Sequence, residues 1–182
     1  MNTESATVQH VNVLVVTPRP QVRDIRGEAL RQTIQEDLRL AVDQIHTASL
    51  YTIHAPHTPE ELDTARHGLF TDAVVEESFW AKRPPRDCQW IVQVGFLPGV
   101  TDNVGRTAAR ALEDVYGRPL EGEVYTSTLY LFQGAIQRHE VERVVRDILA
   151  NPLIHQWCIT AATAWRDGIE AFLPPPLAGV NK

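Results

Sequence analysis

Several residues in this sequence are of the types that chemistry uses. His54-Ala55-Pro56-His57 sets two imidazoles about a proline turn, where they could offer two ligands to a metal ion. No third ligand is placed by the sequence, and histidines at a strand end before such a turn are usually solvated. Asp24 and Asp102 could act as a carboxylate pair, although each is also well placed to cap a helix. Cys158 lies in an apolar segment, which reads as an inert buried thiol rather than a nucleophile. Tyr51 and Tyr130 could face a ligand or fill the space between layers. Glu60-Glu61 reads as the solvated start of a helix. None of these residues is set in a G-x-G-x-x-G, a G-x-x-x-x-G-K-[ST] or a G-x-S-x-G pattern. The residues themselves therefore predict no catalytic group, no bound cofactor and no metal site.

The elements that must position these residues occur twice. Pro20-Gln21-Val22-Arg23-Asp24-Ile25-Arg26-Gly27 and Pro98-Gly99-Val100-Thr101-Asp102-Asn103-Val104-Gly105 both read P-x-V-x-D-x-x-G, 78 positions apart. One residue is then inserted, and Thr47, Leu50 and Tyr51 fall on Thr126, Leu129 and Tyr130 at a spacing of 79. Thr71-Asp72-Ala73-Val74-Val75 falls on Ala150-Asn151-Pro152-Leu153-Ile154. Two copies of this length make a duplicated small domain rather than a solenoid, and each copy is too small to bury much surface alone.

Each copy reads β-α-β-α-β, an α+β module. The first strands are Val11 to Thr17 and Trp90 to Phe96, rich in β-branched residues. The helices after Asp24 and Asp102 carry Leu30, Ile34 and Leu38, and Ala108, Ala111, Leu112 and Val115, at helical spacing. Gly27 and Gly105 lie one turn in, where glycine costs roughly 1 kcal/mol against alanine, so close approach to the sheet or to a neighbouring chain is expected there. The second strands, His46 to His54 and Tyr125 to Gln133, are apolar on both faces. Helices should cover one face and the other copy the second. A second helix starts at Pro59, with its twin over Glu140 to Leu149, and short last strands run over Val74 to Trp80 and Leu153 to Ile159. The boundaries read as an N-terminal tail over 1–10, a first repeat over 11–80, a linker over 81–88, a second repeat over 89–164 and a proline-rich C-terminal tail over 165–182.

Composition narrows the function class. The chain has 182 residues, 43% hydrophobic and 22% charged, with a formal net charge of −6. Basic residues cluster only at Lys82-Arg83-Pro84-Pro85-Arg86, so neither nucleic acid nor an anionic membrane is an expected partner. The N-terminus shows no secretory pattern, no apolar run is long enough to span a bilayer, and a cytoplasmic protein is expected. Cys88 and Cys158 allow one disulfide; two reduced thiols is the plainer reading.

The P-x-V-x-D-x-x-G turn followed by L-Y resembles the small PurS subunit of phosphoribosylformylglycinamidine synthase. The phrases Val94-Gly95-Phe96-Leu97-Pro98-Gly99-Val100-Thr101-Asp102-Asn103-Val104-Gly105 and Leu149-Ala150-Asn151-Pro152-Leu153-Ile154 are closer still to the second of the tandem PurS-like units at the N-terminus of certain large forms of that enzyme. The resemblance covers about residues 11–160. It implies two tandem repeats packed as a pseudo-two-fold covalent dimer. It also implies a part without an active site that bridges glutaminase and synthetase and helps enclose the ammonia route of an ATP- and glutamine-dependent ligase in purine synthesis. ATP and magnesium would belong to the synthetase partner. The helix-start turns are then the candidate partner contacts, Asp102, Asn103 and Gly105 ahead of Asp24 and Gly27. The first copy departs from the pattern, with Gln21 where a glycine is favoured after the proline. The chain reads equally as a free subunit and as the N-terminal region of a longer enzyme. A reading from another class is an ACT-like small-molecule sensor, which would bind its ligand between copies; Gly95 and Gly99 provide only a weak version of the turn it needs.

Overall fold

A computed structural model describes residues 11–80 and 86–164. The expected tails over 1–10 and 165–182 and most of the linker lie outside the described residues. The fold is α+β. In the first half, β1 (Val11–Pro18) leads to α1 (Ile25–Thr33), which continues through one wider turn over Ile34–Leu38. Then follow β2 (Gln44–His54), α2 (Pro59–Ala65) with a similar extension over Arg66–Phe70, and β3 (Glu76–Trp80). The second half has the same order: β4 (Trp90–Phe96), α3 (Asn103–Tyr116), β5 (Glu123–Gln133), α4 (Arg138–Val144) extended over Val145–Leu149, and β6 (His155–Ala161).

All six strands form one antiparallel sheet in the order β3-β1-β2-β5-β4-β6. The halves meet at its centre, where β2 and β5 pair over their whole length, from Gln44↔Gln133 through Ser49↔Thr128 to His54↔Glu123. The sequence pattern predicts that the second copy covers one face of the first; it adds to its edge instead. A strand edge presents a row of unpaired backbone donors and acceptors, and pairing two such edges satisfies both rows.

Helices α1 and α4 share one apolar cluster on the sheet, in which Ile34 and Ile45 meet Val92, Phe132, Val141 and Val145. Helices α2 and α3 share another, in which Leu14, Ile53 and Phe70 meet Ala108, Leu112 and Val124. A third cluster, of Val15, Ala48, Leu50, Ile91, Leu129 and Leu131, occupies the face away from the helices, with Phe79, Cys88 and Ala162 against it. Each cluster draws residues from both halves, so neither half owns a complete core. Along α3 the buried stripe is Gly105, Ala108 and Leu112; Val115, predicted on that face, stays 43% exposed in the last turn before Gly117 ends the helix in left-handed conformation.

The last strand of each half begins two residues later than its apolar pattern predicts. Side chains of Asp72 and Asn151 accept from the N–H of Val74 and Leu153, and the same residues' carbonyls accept from Glu76 and His155. These side-chain bonds hold Val74 and Leu153 in a turn, out of the ladder. No helix among the described residues is long and apolar enough to cross a membrane.

Because every cluster is shared, residues 1–84 or 85–182 expressed alone should aggregate, or self-pair through the β2 or β5 edge. Size-exclusion chromatography with light scattering checks this. Two folded monomers would show that the halves are independent.

Candidate functional site

The two helix starts repeat one arrangement of hydrogen bonds. Asp24 caps α1: its Oδ1 accepts from Gly27 N–H at 2.9 Å, and its Oδ2 accepts from Thr47 N–H at 2.5 Å. The Thr47 hydroxyl donates to the same carboxylate at 3.0 Å. Asp102 caps α3 likewise, accepting from Gly105 N–H at 2.7 Å, Thr126 N–H at 2.6 Å and the Thr126 hydroxyl at 2.9 Å. Each carboxylate therefore fastens a helix start to the middle of the next strand. Charge-assisted bonds of this kind are stronger than neutral ones, and they leave these carboxylates engaged in structure rather than free for acid–base chemistry.

Glycine makes the fastening possible. A Cβ on Gly27 would stand 2.0 Å from the Ile45 carbonyl oxygen, and one on Gly105 would stand 2.3 Å from that of Val124. Of the five candidate contact residues, Gly27 and Gly105 are buried, Asp24 and Asp102 are half-buried, and Asn103 alone is exposed. Thr47 and Thr126 carry as much of the arrangement as the aspartates. The only trace of this in the sequence is that they coincide when the copies are aligned.

A groove flanks each helix start. Beside α1 its volume is about 280 Å³, lined in part by Arg19, His46 and Arg86. Burial lowers the pKa of the His46 imidazole, and the neighbouring Arg86 charge lowers it further. Beside α3 the volume is about 500 Å³, lined in part by Phe96, Arg106, Arg110 and Tyr125. Burial and a hydrogen bond to Glu123 push the Tyr125 phenol up to about 12, so it stays a donor at neutral pH.

The remaining sequence candidates are dispersed. His54 sits in β2 opposite Glu123, while the His57 ring lies 2.7 Å from the Asn12 amide. Among the described residues no group of three or more histidine, cysteine or acidic side chains is placed to hold a metal ion. Glu61 is not a freely solvated helix start. It completes a capping box with Thr58 and accepts two hydrogen bonds from the Arg118 guanidinium at 3.0 Å, tying α2 to the segment after α3. Its pKa is lowered chiefly by the Thr58 N–H and then by Arg118. Tyr51 stacks against Phe70 at 4.6 Å, and burial raises the pKa of both Tyr51 and Tyr130. These two phenols line a depression of about 290 Å³ over the β2–β5 junction, with Ser49 and Thr128.

Both cysteines are free thiols, and Cys158 is not the buried thiol its apolar segment predicts. Cys158 lies on edge strand β6 and is exposed, whereas Cys88 packs against the third cluster and burial raises its pKa to about 11. Cys158 follows the apolar Trp157, but alternation along an edge strand turns it to solvent.

Compared with protein-family models and with curated proteins, the chain matches none.

Two predictions follow from this geometry. Gly→Ala inside a helix normally gains about 0.5–1 kcal/mol. At Gly105 and Gly27 the sign should reverse, because the added carbon meets a backbone oxygen; at Gly68, with open space around its Cβ position, the usual sign should hold. Chemical denaturation of the three variants measures this, with Thr126→Val expected to cost about 1 kcal/mol for the lost hydroxyl bond. Secondly, a disulfide reagent at pH 8 should modify Cys158 much faster than Cys88, read by mass spectrometry of the labelled peptides.

Proposed function

We propose that this chain is a non-catalytic scaffold of a phosphoribosylformylglycinamidine synthase, two PurS-like repeats joined as a covalent pseudo-dimer. In this reading it sits in the cytoplasm between a glutaminase and an ATP- and magnesium-dependent synthetase, and it helps enclose the path of ammonia. The observation that carries the reading is the register of the central pair. Ser49 faces Thr128, and these two residues correspond in the repeat. To either side the correspondence exchanges: Thr47 faces Tyr130, and Tyr51 faces Thr126. Strand pairing centred on corresponding residues is what an isologous two-fold contact between copies would give. The resemblance of the helix-start turns supports the partner assignment. The engagement of Asp24 and Asp102 in hydrogen bonds supports a structural role for the repeated phrase.

A sensor of the ACT type is the second reading. The depression over the β2–β5 junction, lined from both halves by Tyr51 and Tyr130, favours it.

Reconstitution tests the scaffold. Mixed with the synthetase and glutaminase of its own cell, the chain should bring both into one complex. It should raise glutamine-dependent amidine formation far more than formation driven by added ammonia, since a scaffold protects transfer between sites. Alone it should be inert. Absence of a complex, or equal stimulation of both reactions, would count against this function.

A further inference from the structure

The two grooves are built alike and finished differently. In the first half Arg86 reaches in from the linker. Its guanidinium donates to the Pro18 carbonyl at 2.8 Å and pairs with the Glu77 carboxylate at 2.8 Å. In the second half Gln156 stands at the repeat position of Glu77, and Phe96 at that of Pro18. There the Gln156 amide donates directly to the Phe96 carbonyl at 2.8 Å. The acceptor is satisfied without a guanidinium, and the groove has nearly twice the volume, about 500 against about 280 Å³.

The charges in the wider groove are also unlike those in the narrower one. Arg23 of the first groove is paired with Glu28, and Arg19 donates to the Ala73 carbonyl. The guanidinium groups of Arg106 and Arg110 in the second groove have neither an ion pair nor a hydrogen bond among the described residues. They lie one turn apart on α3, a spacing at which like charges repel. The three acidic groups that line the groove each accept from neutral donors and form no ion pair with these arginines. Asp102 holds Gly105 and Thr126, Glu113 accepts from Leu120 N–H at 3.1 Å, and Glu123 accepts from the Tyr125 hydroxyl. The first amides of α3 are taken as well, Gly105 N–H by the Asp102 carboxylate and Arg106 N–H by the Asp102 carbonyl at 3.0 Å. The two guanidinium groups are thus charged donors left for an anion. Phe96, Ala109 and Val124 supply apolar lining to the same groove.

We propose that this groove is a binding site for a small organic anion, a phosphate or carboxylate head on an apolar body. The head would lie on Arg106 and Arg110, whose planar forks suit either group, and the body would lie against Phe96. The volume is in the range of small-molecule clefts, which combine an apolar lining with few polar anchors. A small molecule fits better than a peptide strand, because β4 and β5 are both paired along the floor of the groove and offer no free edge to a third chain. The site does not rest on the scaffold reading and survives its failure.

Titration calorimetry on the full chain tests it with four probes: 2-naphthyl phosphate, 2-naphthoate, 2-naphthol and an acetylated hexaglutamate peptide. The phosphate or the carboxylate, or both, should bind, and whichever binds identifies the head. Arg106→Gln and Arg110→Gln should each weaken that binding by about tenfold or more without lowering the melting temperature. Arg31→Gln, in the first groove, should leave it unchanged. Four outcomes would overturn the proposal. These are no binding by either anion, equal binding by naphthol, affinity indifferent to both arginine substitutions, or tighter binding of the peptide on the same arginines.

Discussion

The eleven-residue pairing of β2 with β5 is the constraint on which the rest of the structure depends. It turns two short three-stranded sheets into one six-stranded sheet, and it fixes which residues of one half lie beside which residues of the other. Because β2 and β5 run antiparallel, α1 comes to lie with α4 and α2 with α3, so the helices pack across the halves. A slip of one residue would turn Leu50 and Leu129 from the third cluster toward the helices and would carry Thr47 and Thr126 away from the aspartates. Register and helix docking therefore specify each other.

The phrase P-x-V-x-D-x-x-G is explained by this docking. The aspartate meets two needs together: it caps a helix, and it accepts from the threonine of the strand beneath. The glycine lets the helix come close enough for both. A catalytic carboxylate needs a free oxygen; both oxygens of each of these accept hydrogen bonds. What differs between the halves lies outside the phrase, in the side chains that finish each groove. Glu77 with Arg86 closes one, while Gln156, with two arginines unpaired among the described residues, leaves the other open. The two halves share the frame and differ in the surfaces that finish it.

Much of this frame was legible from residue order. The six strands, the four helices, the caps at Asp24 and Asp102 and the proline-initiated helix at Pro59 all follow from local pattern, and local chemistry decides them. How the halves join was not legible. A strand apolar on both faces announces that both will be covered, but the pattern is the same whether a neighbour stacks on a face or adds to an edge. The role of Thr47 and Thr126 was hidden for a related reason, since a threonine in a strand is unremarkable until the helix start above it is known. Cys158 shows the limit of composition at an edge strand: its neighbours are apolar, yet its own side faces solvent. The open groove could not be foreseen either. It depends on Arg106 and Arg110 finding no acid among the described residues, which is a matter of three-dimensional neighbours.

Native-state hydrogen exchange across the β2–β5 junction tests the central claim most directly. If this pairing joins the halves into one cooperative body, amides of Leu50 and Leu129 should exchange only through global unfolding, with the same free energy and the same denaturant dependence. Exchange of β2 at a distinctly lower free energy than β5, or the reverse, would mean that one half opens while the other stays folded, and would contradict the account.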